Sequence, residues 1–207
     1  MNINLATRIT LARIFLVPLL AVMLVQRRYD VALGVYVVAA LSDALDGIVA
    51  RRMNQRTTLG AILDPLADKA MILTAFILLG QASEPHLALP AWLVIFVVFR
   101  DLYIVVGIGV FHMIHGSVPW GASWISKVNT VAQIMTVLAA LIANAMIEQG
   151  WAGVTLQALE MLLTAMIWLT LTTTIVTGID YTLRGVHILS EDHGDTDGQP
   201  ADRTAHE

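Results

Sequence analysis

Long apolar runs separated by short polar segments make up the chain from residue 9 to residue 183. Each run approaches the roughly 20 residues that a helix needs to cross the hydrocarbon core of a bilayer. The short alternating segments of a transmembrane β-barrel are not seen in the sequence. The pattern therefore predicts an all-α, polytopic membrane protein with six transmembrane helices, at residues 9–26, 31–52, 59–81, 88–114, 124–148 and 153–183.

The composition agrees with a membrane protein. Hydrophobic residues make up 57% of the chain, charged residues make up 14%, and the mean hydropathy is +0.73. A soluble domain carries about 25% charged residues. The chain has no cysteine, which excludes disulfides and thiolate metal sites.

The acidic net charge of -4 belongs to the end of the chain. Residues 190–207, "SEDHGDTDGQPADRTAHE", contain almost no apolar side chain, and such composition favours a disordered tail. We therefore divide the chain into a six-helix transmembrane domain, residues 1–189, and an acidic C-terminal tail, residues 190–207.

The orientation follows from the positions of lysine and arginine, which favour the cytoplasmic side. With the N-terminus in the cytoplasm, one side of the membrane holds only Arg27 and Arg28. The cytoplasmic side then holds Arg8, Arg13, Arg51, Arg52, Arg56, Lys127 and Arg184. We therefore expect a multi-pass protein of the inner (plasma) membrane, with the ends of helices 2 and 3 that flank the loop at residues 52–58 facing the cytoplasm.

Four aspartates lie in the stretch "LSDALDGIVARRMNQRTTLGAILDPLADK", residues 41–69. Asp43 and Asp46 are three residues apart, and Asp64 and Asp68 are four apart, so each pair shares one helix face. A short loop makes the two helices antiparallel neighbours. The four carboxylates are therefore expected to converge at one depth, near the cytoplasmic ends of both helices.

Converging carboxylates in a low-dielectric environment repel one another, which raised pKa values or bound divalent cations would relieve. Oxygen-only ligands suit Mg²⁺, Mn²⁺ or Ca²⁺ rather than zinc. Two such ions roughly neutralise four carboxylates, and a pair of metals is a known catalyst of displacement at phosphorus. Acidic residues inside a membrane span are functional by default, which favours a metal site or a proton-coupled site over solvated surface acids.

Small residues surround the aspartates. Gly47 and Ala50 leave a strip without large side chains on helix 2, and Gly60 is a small residue at the corresponding end of helix 3. Close helix packing alone explains small residues of this kind. Arg51 adds a guanidinium fork that suits phosphate oxygens.

The spacing D-x2-D-G-x2-A-R-x8-G-x3-D-x3-D, from Asp43 to Asp68, resembles the signature of the CDP-alcohol phosphatidyltransferase family at all eight fixed positions. The resemblance implies transfer of a phosphatidyl group from CDP-diacylglycerol to an alcohol, with release of CMP. It implies that Asp43, Asp46, Asp64 and Asp68 bind two Mg²⁺ or Mn²⁺ ions and that Asp68 is the general base. It also implies that Asp43, Gly47, Ala50, Arg51 and Gly60 form the CDP and diphosphate site, and that the protein is a homodimer.

The acceptor alcohol depends on other stretches. "DVALGVYVVAALSDALDG", "VVFRDLYIVVG" and "SWISKVNTVAQ" resemble the branch of the family whose acceptor is phosphatidylglycerol and whose product is cardiolipin. The branch that uses glycerol-3-phosphate is similar almost as closely, but more often has Arg-Glu where this chain has Arg100-Asp101. We therefore expect phosphatidylglycerol, with glycerol-3-phosphate as the alternative, and no nucleic-acid partner.

Arg100 and Lys127 are cations within apolar spans, where an unpaired charge is costly. One interpretation is that Arg100 pairs with Asp101 or with the aspartate cluster. The other is that Arg100 and Lys127 bind the phosphate of the acceptor.

The sequence leaves open one structural alternative and two other functional classes. Asp64 is either an N-cap followed by Pro65 at the first helical position, or a residue inside a helix that Pro65 bends. A cation transporter lined by the aspartates is a different functional class, although it leaves the Gly-x2-Ala-Arg spacing unexplained. A scaffold without catalysis is a third hypothesis, and it predicts that Asp68→Asn has no effect.

Overall fold

The computed structural model describes the backbone of residues 5–53, 58–115 and 123–196. It describes side chains at residues 14–42, 68–107, 109–110, 113 and 123–186. Within these ranges the protein is all-α. The helices are α1 (Leu5–Val25), α2 (Tyr29–Met53), α3 (Thr58–Leu79), α4 (Ala91–His115), α5 (Trp124–Glu148) and α6 (Val154–Thr196).

The predicted number and order of the helices are confirmed in the described ranges. Most boundaries agree within a few residues, and local chemistry explains several of them. Ser123 caps α5 by accepting a hydrogen bond from the Ser126 amide at 3.1 Å. Gly150 and Gly153 have φ angles of 79° and 83°, a conformation that glycine adopts without strain, so the chain turns between α5 and α6.

The end of α6 corrects one prediction. The helix continues to Thr196, so it includes residues 190–196, which the sequence assigned to the disordered tail. Low hydrophobicity suggested the tail, but the segment has no proline and reaches Gly194 before any strong helix breaker. The remaining tail, residues 197–207, lies outside the described residues.

Three connections meet at one end of the bundle. The Arg27 guanidinium, between α1 and α2, donates to Ser83 Oγ, between α3 and α4, at 2.7 Å. The Asn144 amide, near the end of α5, bonds both backbone groups of Leu87: Oδ1 accepts from the amide at 2.7 Å, and Nδ2 donates to the carbonyl at 3.0 Å. The α1–α2 and α3–α4 connections and the end of α5 therefore share one end, as an up-and-down bundle requires.

The core is built around α5, which packs on α2, α3 and α6. Apolar side chains of all six helices form one buried cluster, which includes the fully buried Phe76, Leu93 and Leu141. Polar bonds join α5 to α6: Asn129 Oδ1 accepts from Thr174 Oγ1 at 3.0 Å, and the Thr136 and Thr170 hydroxyls lie 2.8 Å apart. Hydrogen bonds of this kind hold helices together where the surroundings are apolar.

Two helices are by themselves long and apolar enough to cross a membrane, within the part of the chain that the structure describes. These segments are Trp124–Glu148 and Val154–Val186, and shorter apolar segments occur at Ile14–Val25 and Tyr29–Ser42.

Because α3 is an α-helix from Thr58 onwards, Pro65 lies inside it, and the alternative of Asp64 as an N-cap is excluded.

Candidate active site

The four aspartates lie at matching levels on α2 and α3. Asp43 lies ten residues before Met53, where α2 ends, and Asp68 lies ten residues after Thr58, where α3 begins. At 1.5 Å per residue, both positions are about 15 Å from the helix ends. Asp46 and Asp64 lie on the side of this pair nearer to the connection. The positions are thus deeper in the helices than the ends at which the sequence placed them.

Asp68 is half-buried and lines a cavity of about 100 Å³ between α2, α3 and α5. Tyr36, Ala39 and Ala40 of α2 form the facing wall. Asp43 follows Ala39 by four residues, so its backbone position is on the helix face that borders this cavity. Side chains of α2 and α3 thus line one cavity at the level of Asp68, and within the described residues α2 packs on α1 and α5 rather than directly on α3.

The Tyr36 hydroxyl is a feature of this cavity that the sequence analysis missed. The side chain is only 3% exposed, and its hydroxyl has no hydrogen-bond partner among the described residues. A buried hydroxyl without a partner costs free energy. Tyr36 lies seven residues before Asp43, which is two helical turns and places both residues on one face of α2. That spacing was the sequence signal for a hydroxyl near the aspartates.

The donor chemistry suits a hard divalent cation. The described lining of the cavity contains one carboxylate and two hydroxyl-bearing side chains, Asp68, Tyr36 and Thr130, and no lysine or arginine. Oxygen donors of this type bind Mg²⁺ and Mn²⁺. The described side chains alone contain no group of three metal-binding residues.

Several predicted site residues have side chains outside the described set. Their backbone positions place them on α2 or, for the last two, on α3: Asp43, Asp46, Gly47, Ala50, Arg51, Gly60 and Asp64. Their predicted roles stay predictions.

Arg100 lies in a buried ion-pair network between α3, α4 and α5. Its side chain is 6% exposed, and Nη1 donates to Asp101 Oδ1 at 2.7 Å. Lys69 Nζ lies 2.7 Å from Asp101 Oδ2. Arg100 Nη2 donates to Ser126 Oγ at 3.1 Å. The pairing of Arg100 with Asp101, one of two interpretations of the sequence, is thus what the structure has.

Asp101 binds two cations, and the sequence analysis did not find the second. Lys69 directly follows Asp68, so the network connects the Asp68 cavity to Arg100 through one carboxylate. The contact depends on how α3 and α4 are rotated about their axes, and a charged residue in an apolar run was the only signal for it. Lys127, the other predicted phosphate-binding residue, is exposed on α5 next to Ser126.

Comparison with known proteins identifies the family of the chain. The CDP-alcohol phosphatidyltransferase family matches residues 3–177. The chain is 33% identical over 153 residues to the human cardiolipin synthase (CMP-forming), a match that covers 65% of this chain and 49% of that protein. The chain thus spans about half the length of that relative.

Two bacterial relatives are equally similar. Each is a CDP-diacylglycerol–glycerol-3-phosphate 3-phosphatidyltransferase and is 33% identical to this chain. The match with the Bacillus subtilis enzyme covers 68% of this chain and 78% of the relative, and the match with the Escherichia coli enzyme covers 75% and 86%. The family's region includes all four aspartates, α2, α3 and the Asp68 cavity, and the chain belongs to the CDP-alcohol phosphatidyltransferase family.

Proposed function

We propose that this protein is an integral membrane enzyme that transfers a phosphatidyl group from CDP-diacylglycerol to phosphatidylglycerol, giving cardiolipin and CMP. The observation that carries the proposal is the position of Asp68. It lines a cavity against α2, at the level of Asp43, in a chain whose family transfers phosphatidyl groups. Membership of the family supports the reaction type.

The aspartates bind two Mg²⁺ or Mn²⁺ ions in this proposal, with Asp43, Asp46, Asp64 and Asp68 as ligands. When bound, the ions offset charge on the diphosphate and stabilise the departing CMP. Arg51, with Gly47, Ala50 and Gly60 as small neighbours, holds the CDP part of the donor. The oxygen donors and the absence of cations in the described cavity lining support this assignment.

Asp68 is the general base. Its carboxylate takes the proton from the acceptor hydroxyl while the hydroxyl oxygen forms a bond to the β-phosphorus of the donor. The bond between that phosphorus and the bridging oxygen breaks, and CMP leaves with the electron pair. The cavity at Asp68 supports this role because it gives the acceptor hydroxyl a place beside the carboxylate.

Phosphatidylglycerol is the proposed acceptor because three sequence stretches resemble the cardiolipin-forming branch, including "VVFRDLYIVVG" with Arg100-Asp101. Glycerol-3-phosphate is the second candidate. It is favoured by the Bacillus subtilis and Escherichia coli relatives, whose names specify that acceptor and whose lengths the matches cover more fully. In both cases Arg100 and Lys127 bind the acceptor's phosphate.

The proposed protein crosses the inner membrane six times as a homodimer, with the site open to the cytoplasm. The grouping of the α1–α2, α3–α4 and α5–α6 connections at one end supports this topology, since the α2–α3 side then faces away from Arg27 and Arg28.

The test supplies purified protein in lipid-containing detergent with CDP-diacylglycerol and Mg²⁺ or Mn²⁺. Either phosphatidylglycerol or glycerol-3-phosphate is added, and CMP and lipid products are measured by mass spectrometry. Cardiolipin formed with phosphatidylglycerol alone is the expected result. Phosphatidylglycerophosphate formed from glycerol-3-phosphate would transfer the assignment to the second candidate. Absence of CMP with both, together with metal-ion flux in vesicles, would favour the transporter.

A further inference from the structure

A groove of about 470 Å³ opens between α4 and α6, and Arg100 of the ion-pair network is part of its lining. Ligand sites in proteins range from about 300 to 1,000 Å³. Phe96, Phe99 and Tyr103 of α4 form one wall, and Ile175, Gly178 and Ile179 of α6 form the other. The lining is almost entirely apolar, so the groove suits a hydrocarbon chain.

The two walls are held together at both ends of the groove. The Trp92 and Trp168 rings have centroids 5.8 Å apart, and the Tyr103 hydroxyl lies 3.1 Å from Thr182 Oγ1. Because the two pairs follow the same order on both helices, α4 and α6 run parallel. Between these contacts no side chain fills the space at Gly178, where an added Cβ would meet no atom within 4 Å.

Arg100 is the charged residue in the groove lining, and its hydrogen bonds are incomplete. Nη1 and Nη2 bond Asp101 and Ser126, but Nε, which is buried, has no partner among the described residues. A buried guanidinium N–H without an acceptor is costly. An acceptor oxygen that enters through the groove would satisfy it, and ester and phosphate oxygens bind arginine well.

The charge around Arg100 favours an anionic lipid. Among the described residues, the ion pairs of the network join two cations, Arg100 and Lys69, to the one carboxylate of Asp101, so the network itself has one excess positive charge. Lys127 directly follows Ser126, which bonds Arg100. A zwitterionic lipid gains less from this excess of positive charge than a lipid with one net negative charge.

We propose that the α4–α6 groove binds an acyl chain of the acceptor phosphatidylglycerol, with oxygens of its glycerol phosphate at Arg100. Arg100 is paired with Asp101, and Asp101 is paired with Lys69, the residue that follows Asp68. A phosphate bound at Arg100 is therefore close to the general base, and the terminal hydroxyl of the lipid is directed towards Asp68. A soluble acceptor such as glycerol-3-phosphate has no acyl chain that could occupy this groove. The assignment of the groove therefore deepens the proposed function and rests on it for the choice of acceptor.

The test uses a phosphatidylglycerol that carries a diazirine in one acyl chain. The wild-type protein is illuminated with this probe in lipid nanodiscs without CDP-diacylglycerol, so that no transfer takes place, and the labelled peptides are identified by mass spectrometry. We expect labels within residues 96–103 and 174–183. A diazirine phosphatidylcholine, which carries no net charge, is expected to label these segments much more weakly.

Gly178→Leu fills the groove, and Gly107→Leu is the matched control. Gly107 lies on α4 outside the groove lining, and an added Cβ there also meets no atom within 4 Å. We expect Gly178→Leu to lower labelling by about tenfold, the factor that loss of roughly two buried methylenes gives. Gly107→Leu should label like the wild type.

Equal labelling by both probes would overturn the proposal, because it would mean that the groove contacts bulk lipid only. Labels elsewhere in the protein, or labelling of the groove by a diazirine CDP-diacylglycerol alone, would assign the groove to no acceptor chain. Cross-links between two copies at these segments would show that a second copy of the chain covers the groove. The wild-type map decides these cases even if Gly178→Leu does not fold. CMP release from phosphatidylglycerol is measured in parallel. Release without groove labelling refutes this proposal alone, whereas labelling without release refutes the proposed acceptor.

Discussion

Lys69 of α3 and Asp101 of α4 form an ion pair at 2.7 Å, although they lie 32 residues apart in the chain. The carboxylate is 3% exposed and also accepts from Arg100, so one buried acid holds two cations. Removal of one partner from such a group leaves charges that water does not reach. The pair thereby fixes the positions of α3 and α4 beside the residue proposed as the base.

Asp101→Asn should destabilise the protein. The neutral amide leaves Arg100 buried without a counter-charge, and we expect a loss of about 3 kcal/mol, because Lys69 keeps some contact with solvent. Thermal unfolding in detergent measures the change. Asp101→Glu, which keeps the charge, should retain most of the stability, and equal losses in both variants would contradict the ion-pair explanation.

Tyr36→Phe should lower activity without lowering stability. The hydroxyl is buried and has no described partner, so its removal costs the fold nothing. If the hydroxyl bonds substrate in the Asp68 cavity, kcat/KM for CMP release falls about tenfold, the effect of one hydrogen bond to a charged group. Tyr29→Phe, at the start of the same helix and outside the cavity lining, is the control. Unchanged kcat/KM in Tyr36→Phe would show that the hydroxyl has no role.

Asp68→Asn should reduce CMP release by about 10²- to 10⁴-fold, the range for loss of a general base. Thermal unfolding without metal is measured in parallel, so that a loss of the fold can be separated from a loss of catalysis. Wild-type activity in this variant would support the non-catalytic scaffold.

Chelation by EDTA should abolish CMP release, and Mg²⁺ or Mn²⁺ should restore it. A metal that binds the folded protein also stabilises it, by about 2.7 kcal/mol at a concentration of 100 times Kd. We therefore expect the unfolding temperature of the wild type to rise on addition of Mn²⁺, and that of Asp68→Asn to rise less. Equal shifts in both proteins would show that the ion binds elsewhere.

Asn144→Leu should destabilise the fold by about 2–4 kcal/mol, because the amide and carbonyl of Leu87 each lose a buried partner. Thermal unfolding measures the loss of stability. The kcat of the folded fraction should be unchanged, since Leu87 lies at the opposite end of the bundle from the α2–α3 connection. Thr172→Val removes an exposed hydroxyl that, among the described residues, donates to the Trp168 carbonyl of its own helix, and it should change stability by less than about 0.5 kcal/mol.

The helices could be predicted from the sequence because apolar runs and turn residues mark them locally. α5 was predicted at its observed bounds, and α6 was predicted to end too early because its last residues are polar yet helical. The short connection and the aspartate spacing predicted α2 and α3 as neighbours, and the described residues show both helices lining the cavity at Asp68. The Tyr36 hydroxyl, the Lys69–Asp101 pair and the α4–α6 groove could not be predicted, since each depends on how neighbouring helices are rotated and spaced.

The length of α6 makes it a suitable attachment point for a rigid fusion partner. Its 43 residues correspond to about 65 Å, roughly twice the hydrocarbon thickness of a bilayer. The last turns therefore project from the bundle as a helix in register with the buried part. A helical fusion partner joined after Thr196 would inherit the orientation of the bundle, and its mass would serve as an alignment marker for electron cryo-microscopy of this 22.5 kDa protein.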